Sequence, residues 1–312
     1  MGGIGIVNNP MARRNRLVPA TARRLRTLLD GEGEVADAVT EDELARAIER
    51  FKARAVEVVG INGGDGTGHF VLSALARAYG PSPLPTVALL RGGAMNTVAD
   101  ANKLRGTPEH LLKALLERRR AGLPLRTLER DLLAVETDGE RVSYGFLFGT
   151  GTIVVFLDAY YRTGHPAAAT AALLLLRAVV SALGGGRFAQ ELTARESLRV
   201  SADGEEWPDE PFLTVAAGAV PEIGFGFAPF FRCDEQPGFF HAVGVTGSTL
   251  QLATSLPRIW FGRPWKRTLA LDAVTRDLRV EGPVRFAVDG DLYEARRSVR
   301  VRTGPVVRLA LP

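Results

Sequence analysis

The sequence predicts an α/β domain followed by an all-β domain, and three observations lead to this fold class. Apolar runs of strand length alternate with helical patterns over residues 1–124, which is typical of an open parallel sheet covered by helices. The alternation stops near Gly122-Leu123-Pro124. Short strand-like runs separated by glycines and Asp-Gly pairs then fill residues 125–312, interrupted by one helical stretch from Pro166 to Leu183. We therefore expect two domains with a boundary near residue 124.

The elements of the first domain follow from the spacing of apolar residues. We predict strands at residues 3–9, 34–39, 55–61 and 86–90, and helices at residues 19–29, 41–52, 68–79 and 108–120, with a short helix after residue 96. The second helix carries a start signal, because Thr40 precedes it and Glu43 lies three residues on, as in a capping box. In the second domain, strand-like runs occupy residues 126–137, 141–151, 197–202, 212–218, 238–245, 278–291 and 298–311.

The composition restricts the classes of partner and site. The net charge of +4 fits an anionic ligand or membrane surface, but the arginine-rich stretches lack the interleaved aromatic residues of a nucleic-acid surface. With Cys233 alone and 4 scattered histidines, we expect neither an intrachain disulfide nor a cysteine-based metal cluster. The N-terminus lacks a signal-peptide pattern, and Arg177 makes the apolar segment Ala167–Leu183 marginal as a membrane span. We expect a cytoplasmic protein with no nucleic-acid partner.

The most informative segment is the glycine-rich stretch Gly63–Gly68, which follows the third predicted strand. Glycines let backbone N–H groups approach a ligand, and the helix that follows favours an anion at its N-terminus. A phosphate fits both properties, and open α/β sheets bind ligands at the carboxyl ends of their strands. Asp65 would repel a phosphate directly, so we interpret it as a Mg²⁺ ligand or as a residue that orders the loop. A tight turn with Asp65 as helix N-cap is the simpler alternative.

Three segments together resemble the diacylglycerol kinase and sphingosine kinase catalytic family. They are Asn8-Asn9-Pro10 after the first strand, Asn62–Thr67 after the third and Gly92–Ala99 after the fourth. Later segments resemble the family in the expected order, so the motifs extend from residue 8 to residue 291. Bacterial lipid kinases of this family are the most similar in length and layout, and the family is related to the NAD kinases.

The resemblance implies a fold, a reaction and a phosphate site. The fold is an NAD kinase-like α/β domain with a C-terminal β-sandwich, and the reaction is ATP-dependent phosphorylation of a diacylglycerol-like lipid, with ATP and Mg²⁺ bound between the domains. The implied binding residues are Asn9, Pro10, Arg13, Arg14, Thr40, Gly63, Gly64, Asp65, Gly66, Thr67, Gly68, His69, Gly93, Ala94 and Asn96, with Asp65 as the metal ligand. Arg13 and Arg14 equally fit a solvated basic turn, and Thr40 equally fits a plain helix cap.

The resemblance places the catalytic base in the segment Val288–Asp291. Asp291 stands where the family has a catalytic glutamate, and Asp289 lies two residues before it. A carboxylate at this place could accept or align the proton of the substrate hydroxyl. Asp-Gly is also the commonest hairpin signal, so a β-turn without a chemical role is the alternative.

Four departures from the family pattern bear on activity. Asp291 is one methylene shorter than the family glutamate, and Ala94 replaces a threonine of the second loop. Ala12-Arg13 replaces a Ser-Gly or Thr-Gly pair, and Pro237 lies where many bacterial members bind a structural Mg²⁺, so we doubt a second metal site. A weak or inactive nucleotide- or lipid-binding pseudokinase is therefore the second hypothesis. A soluble, NAD-type small-molecule kinase is the third, although Arg91–Asn96 resembles the lipid-kinase loop more closely.

The implied acceptor is a lipid alcohol at the inner membrane face, so we expect transient contact with a membrane surface. The apolar residues Leu173–Leu176, Val179 and Val180 fit an acyl-chain groove, a membrane contact or, most simply, a buried core. The sequence does not distinguish a monomer from a homodimer, and both stay open.

Overall fold

The computed structural model describes residues 3–164, 167–184 and 195–312, and the chain forms two compact units. The first unit comprises the residues up to 130 together with residues 305–312, and the second comprises residues 131–304. Parallel strands alternate with helices in the first unit, and antiparallel sheets dominate the second. The predicted fold class is confirmed.

A parallel sheet forms the centre of the first unit. Its strands are β1 Ile4–Asn8, β2 Gly33–Asp37, β3 Val58–Asn62, β4 Thr86–Leu89 and the C-terminal end of β16 Ser298–Leu311, in the order β2-β1-β3-β4-β16. β1 and β3 are buried over their whole length, as is usual for parallel strands covered on both faces. Asn8 lies opposite both Asp37 and Asn62, so the carboxyl ends of three strands meet at one edge.

The strand at the end of the chain belongs partly to this sheet. We predicted residues 298–311 as part of the second domain, but Leu309 pairs in parallel with Val87 of β4. β16 therefore begins in the second unit and ends in the first. Its apolar pattern predicts a buried strand correctly, but such a pattern carries no information about the neighbouring strand.

Helices cover both faces of the parallel sheet. They are α1 Arg13–Leu17, α2 Ala20–Leu29, α3 Glu41–Ala53, α4 Asp65–Tyr79, α5 Thr97–Ala101 and α6 Pro108–Arg120. Residues of α2 and α6, such as Leu25 and Leu115, share one core with Ile6 of β1. On the other face, a Cβ added at Gly5 of β1 would lie 2.7 Å from the ring of Phe51 in α3. The sequence therefore uses glycine in β1 where a helix packs closely against the strand.

Two antiparallel sheets form the second unit. The first sheet contains β5 Arg126–Thr137, β6 Arg141–Gly145, β8 Arg199–Ala202, β9 Glu205–Glu206, β13 Asp277–Glu281 and the N-terminal part of β16. The second sheet has the order β12 Ala270–Thr275, β11 Phe240–Val245, β10 Thr214–Gly218, β7 Leu147–Thr150, β14 Val284–Val288 and β15 Asp291–Ala295. Buried residues of both, including Val280, Val299, Phe148 and Phe286, form one core. The sheets thus pack face to face, as in a sandwich.

The second unit contains more helix than we predicted. Among the residues that the structure describes, its helices are α7 Thr152–Arg162, α8 Ala168–Gly184 and α9 Thr249–Trp260. The prediction of a single helical stretch, Pro166–Leu183, captured only α8; Pro166 itself lies outside the described residues. α7 was missed because its valines, isoleucine and aromatic residues favour a strand by local propensity. α9 was missed because Pro257 lies inside it, although Ser248 and Gln251 form a capping box at its start.

α7 and α9 cover the outer face of the second sheet. Ile153 of α7 and Leu252 of α9 pack against a core that includes Val243 and Phe230. Within the described parts of the chain, no helix combines the length and the apolar character needed to traverse a bilayer.

Candidate functional site

Buried asparagines lock the strand ends of the first unit together. Asn62 at the end of β3 donates from Nδ2 to Asn8 Oδ1 at 2.7 Å and to Asn15 Oδ1 at 3.1 Å. Asn15 donates in turn to the backbone oxygens of Asn62 at 3.0 Å and Asn9 at 2.8 Å. Because burial makes an unmade hydrogen bond costly, this network fixes the loop after β1 against the loop after β3. We did not identify Asn15 from the sequence, since it lies in an arginine-rich segment with no loop signal.

The two glycine loops of the first unit touch through their backbones. A Cβ at Gly93 would lie 2.2 Å from Gly64 Cα, and a Cβ at Gly92 would lie 2.8 Å from Gly63 N. Only residues without side chains allow the loops after β3 and β4 to approach so closely. The predicted residues Gly63, Gly64 and Gly93 are therefore brought together, next to Ala94.

Asp65 ties the first glycine loop to the second. Its carboxylate accepts hydrogen bonds from the backbone N–H groups of Thr97 at 2.9 Å and Val98 at 3.1 Å, which open α5. Burial raises the pKa of the Asp65 carboxyl, and the two amide donors oppose that shift. Of the roles left open by the sequence, ordering the loop is the one that these contacts perform. As a helix cap, Asp65 serves α5 and not its own helix.

The remaining contacts fix the loops from both sides. Asn96, which has a left-handed φ of 53°, accepts from Gly93 N at 3.0 Å through Oδ1. Asn9 donates from Nδ2 to Thr67 Oγ1 at 2.9 Å, beside the exposed Pro10. Arg14 N donates to Gly92 O at 3.1 Å. Residues from four segments thus form one hydrogen-bonded unit at the carboxyl edge of the sheet.

The first turn of α4 is suited to an anion. Its N-cap, Gly64, provides no side-chain hydrogen bond, and the first N–H groups of a helix have no intrahelical acceptor. Asp65, Gly66 and Thr67 form this turn, and a Cβ added at Gly68 would meet no atom within 4 Å. There is open space over the turn, at the end of a helix that carries partial positive charge. A phosphate group fits this position.

Four of the predicted binding residues have contacts or positions outside the glycine loops. His69 is buried in α4 with its ring 5.2 Å from that of Phe70, so the side chain belongs to the core. Thr40 accepts from Glu43 N at 3.2 Å as the cap of α3, which is the structural alternative named above. Arg13 is exposed on α1, while Arg14 approaches Glu109 at 3.9 Å.

In the second unit, Asp289 and Gly290 form the two-residue turn between β14 and β15. Their φ values are 47° and 95°, and Val288 pairs with Asp291 across the turn. The buried Asp289 carboxylate accepts from Phe146 N at 3.0 Å and Leu147 N at 2.9 Å. Asp289 therefore anchors the hairpin, as the β-turn alternative requires, and Asp291 opens β15 in a half-buried position.

Near Pro237, an arginine side chain is paired with two carboxylates. Arg232 forms ion pairs with Glu235 at 2.9 Å and with Asp272 at 2.7 Å, and His241 Nε2 lies 3.2 Å from Asp272. A guanidinium thus lies between these carboxylates. In the part of the chain that the structure describes, no three His, Cys, Asp or Glu residues are grouped so that they could hold a metal ion. A Mg²⁺ held by phosphates needs only one or two carboxylates, and Asp65 is the acid within the first glycine loop.

Comparison with known proteins agrees with the motifs. Residues 4–125 match the family model of the diacylglycerol kinase catalytic domain. None of the curated proteins matches the sequence significantly. The fold is similar to that of a diacylglycerol kinase from Bacillus anthracis strain Sterne, with 12% identity, a TM-score of 0.66, and coverage of 100% of this chain and 97% of that one. It is also similar to a provisionally named diacylglycerol kinase of the same strain, with 13% identity, a TM-score of 0.71 and the same coverage.

Proposed function

Since residues 4–125 match the diacylglycerol kinase catalytic family, we propose that this protein transfers the γ-phosphoryl group of ATP to the hydroxyl of a diacylglycerol-like lipid. The observation that carries the proposal is the pair of glycine loops, in which Gly64 and Gly93 meet beside the open first turn of α4. This arrangement offers backbone donors, and a Cβ added at Gly68 would meet no atom within 4 Å. A triphosphate has the size and the charge to use it.

The binding residues divide into those that touch phosphate and those that hold the loop. Gly64, Gly66 and Gly68 present the backbone at the turn, and Thr67 contributes a hydroxyl that Asn9 orients at 2.9 Å. Asp65 keeps the second loop in place through the Thr97 and Val98 amides. ATP supplies the phosphoryl group, and its Mg²⁺ offsets the phosphate charge.

We assign proton acceptance to Asp291. Asp289 receives two backbone N–H groups and anchors the turn, whereas Asp291 stands where the resemblance places the catalytic glutamate of the family. An alcohol attacks phosphorus more readily when a carboxylate takes or aligns its proton. Because the Asp side chain is shorter than that of Glu, the distance from its carboxylate to the substrate hydroxyl limits the rate of phosphoryl transfer.

The test is transfer of label from γ-labelled ATP. The purified chain is incubated with diacylglycerol in detergent micelles, with total lipid extract and with NAD, and Asp65→Ala and Asp291→Ala serve as controls. Label in a lipid that both substitutions abolish supports the proposal. Label in NAD, or in neither acceptor, contradicts it.

A binding protein without transfer activity is the second candidate. Ala94 in place of a hydroxyl and the short Asp291 favour it. Under this alternative, calorimetry detects ATP binding to the wild type while no acceptor is labelled, and Ala94→Thr together with Asp291→Glu increases transfer.

A further inference from the structure

An exposed aromatic patch lies at the end of α9 in the second unit. We define it by four residues, Ile223, Phe225, Trp260 and Phe261, whose exposed fractions are 41%, 40%, 50% and 65%. Scattered exposed apolar residues are ordinary on protein surfaces. Three of the four are in contact, because the Trp260 ring contacts the Phe261 ring at a centroid distance of 4.9 Å and Trp260 Nε1 donates to Phe225 O at 2.9 Å; Ile223 lies two residues before Phe225.

The structure holds the patch rigidly in its exposed position. Ala228 N donates to Ile259 O at 3.1 Å, which joins the loop that carries Phe225 to α9. Gly226 has a φ of 76°, and a Cβ there would lie 2.9 Å from Trp260 Nε1. Apolar rings that are fixed outward have not been taken up by the core of the unit, although α9 packs against that core. This is the arrangement of a surface that is covered by something else.

The segment that contains Trp260 and Phe261 carries cations and no acidic residue, whereas Glu222 lies beside Ile223. Residues 247–271 contain Arg258, Arg263, Lys266 and Arg267, and neither Asp nor Glu. The Arg263 guanidinium lies 5.8 Å from the centroid of the Phe261 ring. Arg258 donates to Pro264 O at 2.6 Å, so the turn after α9 is fixed with its cations exposed beside the rings.

α8 also exposes apolar side chains and carries a cation. It packs beside α9, and Leu173, Leu176 and Val180 are exposed by 66%, 59% and 60%. Their spacing of three and four residues places them on one side of the helix. Residues 167–184 contain Arg177 and no acidic residue. α8, α9 and the turn after α9 together carry exposed aromatic and aliphatic side chains and five arginines and lysines, which we treat as one surface.

We infer that this surface docks on a bilayer that contains anionic lipid. Aromatic rings favour the interface between water and hydrocarbon, and a helix with an apolar side can lie in the plane of the membrane. Arginine and lysine near the surface are attracted by anionic headgroups. A second copy of the chain is a poorer occupant, because a symmetric contact would place the same cations against each other. The purpose of the contact rests on the proposed function, since a diacylglycerol-like acceptor resides in a bilayer.

The experiment measures binding without catalysis. The full chain, without ATP, is sedimented with vesicles of phosphatidylcholine and with vesicles that also contain phosphatidylglycerol. Wild type is expected to bind the anionic vesicles and to bind less at high salt, because the Debye length falls from about 10 Å at 0.1 M to about 3 Å at 1 M. Arg263→Glu with Arg267→Glu is expected to weaken binding at least about 25-fold, since each cation contributes about fivefold.

Phe261→Ser tests the apolar part and is expected to weaken binding about tenfold. The matched control is Arg23→Glu, an exposed charge reversal on α2 of the first unit, which is expected to bind as wild type. Phosphorylation of diacylglycerol in detergent micelles is measured in parallel. Vesicle binding without phosphorylation leaves the docking surface standing and overturns the proposed function. Two results overturn the docking surface: vesicle binding by the patch variants equal to wild type, or a wild-type dimer that Phe261→Ser dissociates.

Discussion

The glycine loops of the first unit and the β14–β15 hairpin of the second use a carboxylate in the same way. Asp65 receives the amides of Thr97 and Val98, and Asp289 receives those of Phe146 and Leu147. The two regions differ in what surrounds the carboxylate. In the loops, backbone meets backbone and the first turn of a helix is open, whereas in the hairpin the strand pairing continues up to the turn.

This difference teaches where chemistry can reside in each region. A carboxylate that accepts hydrogen bonds from backbone N–H groups has a structural role. Under the proposed function, the chemistry belongs to its neighbours: the backbone N–H groups of α4 in the loops, and Asp291 in the hairpin. The four predictions that follow test this division, beginning with the largest expected effect.

Asp291→Asn is expected to lower kcat by about 10²–10⁴-fold, because a general base is lost. Asp289→Ala is expected to act through stability, with a loss of about 3 kcal/mol in the free energy of unfolding, since two buried amides lose their acceptor. Initial rates with labelled ATP and urea denaturation measure the two effects. The division between the two aspartates is wrong if Asp291→Asn keeps the wild-type rate. Asp291→Glu is the matched control, and we expect it to raise kcat by restoring reach.

Asp65→Ala is expected to cost about 3 kcal/mol in the free energy of unfolding, because Thr97 N and Val98 N lose a charged acceptor. Asp65→Asn keeps one acceptor oxygen, and we expect about half of that loss. Denaturant titrations of both variants check the ratio. Wild-type stability in both, with loss of Mg²⁺-dependent ATP binding, would instead make Asp65 a metal ligand without a structural role.

Two glycine substitutions distinguish a glycine needed for contact between the loops from one that leaves space for a ligand. Gly93→Ala is expected to cost about 1–3 kcal/mol of stability, because its Cβ would overlap Gly64 Cα. Gly68→Ala is expected to leave stability unchanged or to raise it by up to about 1 kcal/mol, since its Cβ meets nothing and alanine favours a helix. Both variants should bind ATP more weakly by calorimetry. Unchanged affinity in Gly68→Ala would show that the triphosphate lies elsewhere.

The smallest effect concerns Asp272, a carboxylate held by the side chains of Arg232 and His241 instead of by backbone amides. Hydrogen bonding to His241, and then to Arg232, lowers the pKa of Asp272 below its ordinary value of 3.8. The pair stabilises the folded state fully above that value, and the contribution is lost as the pH falls through the lower folded pKa. Wild type should therefore lose Tm more steeply than Asp272→Asn below about pH 4. Parallel acid limbs, followed by circular dichroism, would contradict this.

The sequence predicted helices and strands better than it predicted which elements pair or pack with each other. The bounds of α6 agree with the prediction to the residue, because Thr107, Pro108 and the arginines at its end are all local signals. α7 and the destination of β16 were missed, since each depends on tertiary neighbours. The glycine loops were recognisable because close backbone contact permits only glycine, so the constraint is visible as a residue type.

The motifs of the candidate site could be recognised in the sequence, but the structural role of each side chain was harder to predict. His69 follows the glycines directly, yet it points into the core because α4 begins at Asp65 and the helix turns this position inward. Asn15 shows the opposite case, in which a residue with no motif holds three segments together. Sequence spacing predicts neither the inward orientation of His69 nor the contacts of Asn15, because both depend on which face each helix turns toward the sheet.

The return of β16 to the first unit has a consequence for synthesis on the ribosome. Residues 1–130 emerge first, but the strand that flanks β4 is translated only after residues 131–304. During that interval the side of β4 that will pair with β16 has unmet backbone groups, the condition in which strands associate with foreign chains. Until residues 305–312 have been made, this edge of β4 is therefore exposed to association with other chains.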